Sequence, residues 1–136
     1  MKNVKNVNLK DLSPVQLIEG KPYFFHIHGM VFDGTTMKRC GHVKKKTGYT
    51  VFGKNQSLHR WIYRVFTNWQ KHKTPNKFPG GYKAWRKLAS HKRRDFFWEF
   101  CVAHHKNGVV EGNGFSNLEL KSGKENSQIG NNFENV

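Results

Sequence analysis

The residues best suited to chemistry lie towards the C-terminal end. They read Val102-Ala103-His104-His105-Lys106-Asn107-Gly108, then, past a glycine-rich loop, Asn113-Gly114-Phe115-Ser116-Asn117-Leu118-Glu119-Leu120, and finally Gly123-Lys124-Glu125-Asn126. An apolar strand ending in two histidines, a Gly and Asn loop, a short Leu-Glu-Leu strand and a helix start would close into a β-hairpin followed by a helix. Such an arrangement can aim ligands from the first strand and the helix at one cation while a neighbouring histidine stays free. That combination suits phosphodiester hydrolysis, which needs a deprotonated water and a cation near the scissile phosphate. Histidine fits the first task because its unperturbed pKa lies near neutrality. Taken singly, a His pair ending a strand reads as polar rim, and an isolated Asn as a turn or cap residue. The ordered set is far more specific than its parts.

The segment closely resembles the HNH nuclease family (His-Me finger, ββα-metal endonucleases), in particular the phage and intron homing endonuclease branch, whose pattern runs HHINGxxxDNRxENLExxTxxEN. The match covers about a fifth of the chain. Upstream, the family carries a Gly-Tyr-x-Val strand and a "vHR" helix start, and Gly48-Tyr49-Thr50-Val51 and Leu58-His59-Arg60-Trp61 occur here in the same order. The resemblance implies that His105 is the general base and that Asn117 holds the loop and orients that base. His104 and Asn126 are implied as metal ligands, with His104 standing where many members carry Asp. A neutral His and a neutral Asn make a weak first shell for Mg²⁺, the expected metal, so phosphate oxygens and water must complete it. The His ligand would also accept Mn²⁺, Ni²⁺ or Zn²⁺.

These residues need a substrate brought to them, and the charge distribution indicates how. The chain of 136 residues has a net charge of +15. From Lys21 to Phe100 there are 18 Lys and Arg against 3 Asp and Glu, whereas Cys101 to Val136 carries 3 against 4. Between Asp33 and Asp95 there is no acidic residue, and 17 Lys and Arg are present. Such unbalanced charge repels itself on folding, and a polyanion that releases counterions on binding is its natural partner. Nucleic acid is therefore the expected partner, against a merely solvated basic surface or attraction to anionic lipid, and the resemblance implies that it is DNA, double-stranded. Lys44, Lys45, Lys46, Arg60, Arg64, Arg86, Lys92, Arg93 and Arg94 are the candidate DNA-binding residues, although for any one of them a solvated charge is the plainer reading.

The positioning elements are readable in outline. The expected class is α+β: a small N-terminal β-rich and helical basic region followed by a C-terminal ββα-metal element. A single domain over residues 1–136 is expected, because smaller pieces could not bury a core. Within it, 1–20 form an arm or peripheral element, 21–100 the basic DNA-gripping region and 101–132 the catalytic element. Tyr23 to Phe32, broken by Gly29, predicts a bent strand or two short ones, and Thr50 to Phe52 another strand. Ser57 can accept from the free amides of a following helix, in which Leu58, Trp61, Ile62, Val65, Phe66 and Trp69 form one apolar stripe. Pro75, Pro79, Gly80 and Gly81 stop that helix. Tyr82, Trp85, Leu88 and Ala89 predict a second one, closed by the basic cluster His91 to Arg94. Phe96 to Val102 reads as a buried strand leading to His104. His59 reads as a structural residue at the helix start.

Two exclusions follow. No apolar run approaches the roughly 20 residues of a membrane-spanning helix. The two cysteines, Cys40 and Cys101, form no CxxC pair, and the N-terminus shows no apolar signal core, so a reducing cytoplasmic setting is expected, that of the host cell if the chain is phage-encoded. His26, His28, Cys40 and His42 nominally offer zinc ligands, but without CxxC spacing they read better as rim and core residues. The expected activity is metal-dependent DNA cleavage by a homodimer or a monomeric nickase. The alternatives are a catalytically inactive nucleic-acid-binding protein that retains the fold, and a protein-binding factor with incidental basicity. Any sequence recognition is expected from the part that precedes the motif.

Overall fold

In the computed structural model, which describes residues 8–122, the chain is mixed α+β with antiparallel sheets and short helices. It forms two compact units, Met1–Phe66 with His105–Leu118, and Thr67–His104 with Glu119–Val136.

The first unit begins with a four-stranded sheet in the order β1 (Gln16–Ile18), β2 (Lys21–His26), β3 (Met30–Asp33) and β4 (Arg39–Cys40). The aromatic run Tyr23 to Phe32 is thus a hairpin, with Tyr23 opposite Asp33 and His26 opposite Met30. Gly29 closes it at φ +100°, a left-handed value that glycine adopts without strain. Its N–H donates to the His26 carbonyl at 2.9 Å. A three-stranded sheet follows, β5 (His42–Val43), β6 (Thr50–Phe52) and β7 (Gln56–Ser57). β4 and β5 carry no sequence signal, being two-residue pairings in a polar stretch; Gly41 between them takes φ +103°. The β5–β6 turn contains Lys44, Lys45 and Lys46, and is closed by Lys44 N–H on the Tyr49 carbonyl and Gly48 N–H on the Lys44 carbonyl.

Helix α1 (Leu58–Phe66) starts where expected, immediately after Ser57 of β7. Leu58, His59, Ile62 and Tyr63 are its buried residues, packing with Phe25, Phe32 and Phe52 as the core of this unit. Phe25 lies edge-on to Phe52 at 5.4 Å and stacks on Trp61 at 5.9 Å. The apolar stripe predicts a helix running on to Trp69, but the helix ends at Phe66, and Trp69 is core of the second unit.

The second unit is built on α2 (Gly81–Trp85) and α3 (Ser90–Phe100). Two expectations are corrected here. The basic cluster His91 to Arg94 does not close a helix but lies inside α3, and residues 96–100 continue that helix instead of forming a strand. Helical spacing explains this: Arg93 and Phe97 share the buried face, and the rings of Phe96 and Phe100, also four residues apart, meet at 5.1 Å. Only from Cys101 does the chain become extended, as β8 (Cys101–His105), which pairs with β9 (Leu118–Ser122). The expected hairpin therefore exists; the helix expected after it lies outside the described residues.

Arg93 anchors this unit. Its guanidinium donates to the carbonyls of Trp69 and Gln70, each at 2.8 Å, and of Arg86 at 3.3 Å, and lies 5.3 Å from the Trp85 ring centre. Trp85 Nε1 in turn donates to the His72 carbonyl at 2.9 Å. Both terminal nitrogens of this buried cation thus find acceptors, which offsets much of the cost of burying it, while its Nε is buried without a hydrogen-bond partner.

Candidate functional site

His105 ends β8 and is buried, with 6% of its surface exposed. The loop that follows folds back on it. Asn113 Oδ1 lies 2.9 Å from His105 Nε2, and Asn113 Nδ2 donates to Thr50 Oγ1 at 3.1 Å. Since the amide nitrogen of Asn113 faces Thr50, its oxygen is the group that faces the imidazole, and it accepts from a protonated Nε2. The tautomer is thereby set by Asn113, and Nδ1 keeps the lone pair, which is the form a general base requires.

Rings enclose this imidazole. Tyr49 stacks on His105 at 5.7 Å, and His59 lies 4.5 Å from His105 and 4.9 Å from Tyr49. His59 is itself buried, 7% exposed, and its Nδ1 has no hydrogen-bond partner. Burial, then the adjacent His105 and Arg60, push its pKa down from 6.5 to about 4, so it is uncharged at neutral pH.

The loop between the strands is held at several points. The buried Asn117 accepts from Asn107 N–H at 3.1 Å and donates to the carbonyls of Gly108 at 3.2 Å and Gly112 at 2.9 Å, while its own carbonyl accepts from Lys106 N–H at 2.7 Å. Phe115 N–H donates to the Ile27 carbonyl at 2.7 Å, which ties the loop to the β2–β3 turn. Gly29 must be glycine there, because a Cβ would sit 2.7 Å from the Asn113 carbonyl carbon and the Gly114 nitrogen.

The structure thus divides between two residues a role expected of one. Asn117 holds the loop, and Asn113 is the residue that touches His105. In sequence Asn113 carries no distinct signal, because a glycine-flanked Asn reads as a turn residue and its partner Thr50 is 63 positions away. Tyr49 and His59 carry a signal in the two upstream matches, without any indication that they enclose His105.

His104, in the second unit, lies half-exposed on β8. Its Nδ1 atom is nevertheless buried, has no hydrogen-bond partner, and lies 3.5 Å from Glu119 Oε1 on β9. An imidazole nitrogen without a partner beside a carboxylate oxygen is a donor pair that suits a divalent cation, so the residues present fit a metal. Asn126 lies outside the described residues. Among those described, no three His, Cys, Asp or Glu side chains gather as a metal-binding group. The nominal zinc set is accounted for otherwise: His26 is buried with Nδ1 accepting from His28 N–H at 3.1 Å, and Cys40 Sγ lies 3.7 Å from the Val31 carbonyl.

The candidate DNA-binding residues separate on burial. Lys44, Lys45, Lys46, Arg86 and Lys92 are exposed, and Arg60, Arg64 and Arg94 are half-buried. Arg64 lies 5.5 Å from the Trp61 ring centre, and Arg94 lies 4.0 Å from the Asp95 carboxylate. Arg93 is corrected: it is 4% exposed and its Nη1 and Nη2 donate to main-chain carbonyls, so it serves the fold and does not face a phosphate. No protein-family model matches the chain, and neither do any curated proteins or solved structures.

Proposed function

We propose that this protein is a metal-dependent DNA endonuclease of the HNH type, hydrolysing phosphodiester bonds with water activated by His105. The observation that carries this reading is the Thr50–Asn113–His105 chain of hydrogen bonds, which leaves Nδ1 of a conformationally held imidazole as proton acceptor. Holding a base by a second hydrogen bond and by packed rings is what general-base catalysis asks of a scaffold.

In this mechanism His105 Nδ1 takes the proton from the water that attacks phosphorus, and Asn113 Oδ1 keeps the resulting imidazolium oriented through its Nε2–H. Asn117 keeps the loop that carries Asn113 closed. His104 and Asn126 would hold the cation. When bound, the cation neutralises charge developing on the phosphate and stabilises the leaving oxygen. Lys44, Lys45 and Lys46 grip the DNA backbone close to the base: Lys46 is three residues before Tyr49, which stacks on His105, a chain length of at most about 10 Å. Arg60, Arg64, Arg86, Lys92 and Arg94 add to the positive charge that meets the DNA.

Incubation of the full chain with supercoiled plasmid and Mg²⁺ or Mn²⁺ tests the reading. Wild type nicks or linearises the plasmid, and His105→Ala cleaves on the order of 100-fold more slowly or worse. Equal cleavage by both rejects it. Salt-sensitive DNA binding without cleavage in any of several metals would favour the catalytically inactive DNA-binding reading, to which the charge distribution is equally suited.

A further inference from the structure

The roles drawn from the motif give the cation two neutral protein ligands, an imidazole and an amide, a set that holds a hard divalent ion weakly. The paired strands β8 and β9 supply what that set lacks. Glu119 Oε1 lies 3.5 Å from His104 Nδ1, with the two side chains 42% and 40% exposed.

An ion pair is the plain reading of such a contact, and the geometry argues against it. A charge-assisted N–H···O bond closes to about 2.7–2.9 Å. Here the separation is 3.5 Å, and Nδ1 is buried with no hydrogen-bond partner. The distance instead comes within about 0.1 Å of the spacing of two donor atoms that share one ion. Ligands each about 2.1 Å from a common cation lie roughly 3.0–3.4 Å apart for adjacent octahedral or tetrahedral positions.

From this juxtaposition we infer that Glu119 is a metal ligand alongside His104, the pair binding a divalent cation of the Mn²⁺ type. The inference rests on the metal dependence in the proposed function. It concerns a residue to which that function assigns no part. An imidazole nitrogen together with a carboxylate oxygen favours Mn²⁺ over Mg²⁺, which prefers an all-oxygen shell, and the carboxylate supplies the negative charge that a His and Asn set omits. Water and phosphate oxygens complete the coordination.

The test is Mn²⁺ binding to the full-length chain without DNA, read from the loss of the free-ion electron paramagnetic resonance signal. Wild type binds one equivalent. Glu119→Gln, which keeps the shape and removes the charge, weakens binding at least 10-fold, and His104→Gln does the same. Glu111→Gln removes an equal charge from an exposed loop residue and leaves binding at the wild-type value. Equal Mn²⁺ affinity in wild type and Glu119→Gln overturns the inference, as does the absence of binding by wild type. Should Glu119→Gln fail to fold, by circular dichroism, paramagnetic broadening in wild type decides: resonances of both His104 and Glu119 must broaden at substoichiometric Mn²⁺, and an unbroadened Glu119 overturns the assignment. Plasmid cleavage is scored separately. Binding that depends on Glu119 without cleavage upholds this site and rejects the nuclease, whereas cleavage with unaltered Mn²⁺ binding in Glu119→Gln does the reverse.

Discussion

His59 shows how one buried side chain ties stability to pH. Its imidazole is packed against both Tyr49 and His105, and protonation would place a charge in a poorly solvated space next to a second histidine and Arg60. The folded-state pKa, about 4, lies below the ordinary 6.5, so in that interval the unfolded chain binds the extra proton. Stability from this residue is therefore fully present above the upper value and is lost as pH falls towards the lower one. The difference converts to on the order of 3 kcal/mol as an upper figure. Urea midpoints should fall between neutral pH and about pH 5, and His59→Phe should remove most of that dependence. Burial also lowers the His72 pKa and adds a contribution of the same sign, so the comparison with the variant isolates His59. An undiminished slope in His59→Phe would show that His59 does not carry it.

Among the elements, the β2–β3 turn and the loop from His105 to Leu118 act together. Phe115 N–H on the Ile27 carbonyl joins them, and the missing side chain of Gly29 lets the Asn113 main chain approach. Gly29→Ala introduces a Cβ at 2.7 Å from main-chain atoms, which cannot swing aside as a side chain could, at φ +100°. The expected loss is about 1–3 kcal/mol from the strained backbone, with displacement of Asn113 from His105 in addition. Denaturant unfolding reads the first effect. The second appears as a changed His105 ring resonance under native conditions. A variant with wild-type stability and an unshifted His105 would show that the close approach is not needed. The same scale explains why the end of α3 looks like a strand in sequence: its Phe-rich run has the composition of one, but Arg93 and Phe97 are buried four residues apart and the rings of Phe96 and Phe100 meet at the same helical spacing.

Across the whole molecule, charge is concentrated ahead of the His/Asn motif, and no helix among the described residues is long and apolar enough to cross a membrane. Neutralising phosphates should make DNA affinity fall steeply with salt. Replacing Lys44, Lys45 and Lys46 together by Gln should reduce the slope of log K against log[salt] by roughly 0.9 for each phosphate no longer neutralised, up to about 3, with little change in folding stability. Arg93→Gln should behave oppositely. It removes one donor from each of three carbonyls and lowers the melting temperature, while the slope stays near wild type. Fluorescence anisotropy over a salt series, with thermal unfolding of the same samples, measures both; a reduced slope in Arg93→Gln would restore that residue to the DNA-facing set.

Local pattern was enough for the α+β class, the aromatic hairpin about Gly29, the start of α1 after Ser57, the pairing of the two strands around the glycine-rich loop, and the separation of basic region from motif. Period and composition report which residues seek burial and where the chain must turn, and these features depend on little else. What they do not carry is which distant group satisfies each polar atom. Asn113 reaches both Thr50 and His105, Arg93 finds carbonyls up to 24 residues away, and Glu119 faces His104 only because their strands pair. Each depends on closure of the chain over long separations, where hydrogen-bond satisfaction selects the partner. For that reason sequence pointed to His105 as the reactive residue, whereas tertiary structure supplied its orienting Asn113, withdrew Arg93 from the surface and brought Glu119 to His104.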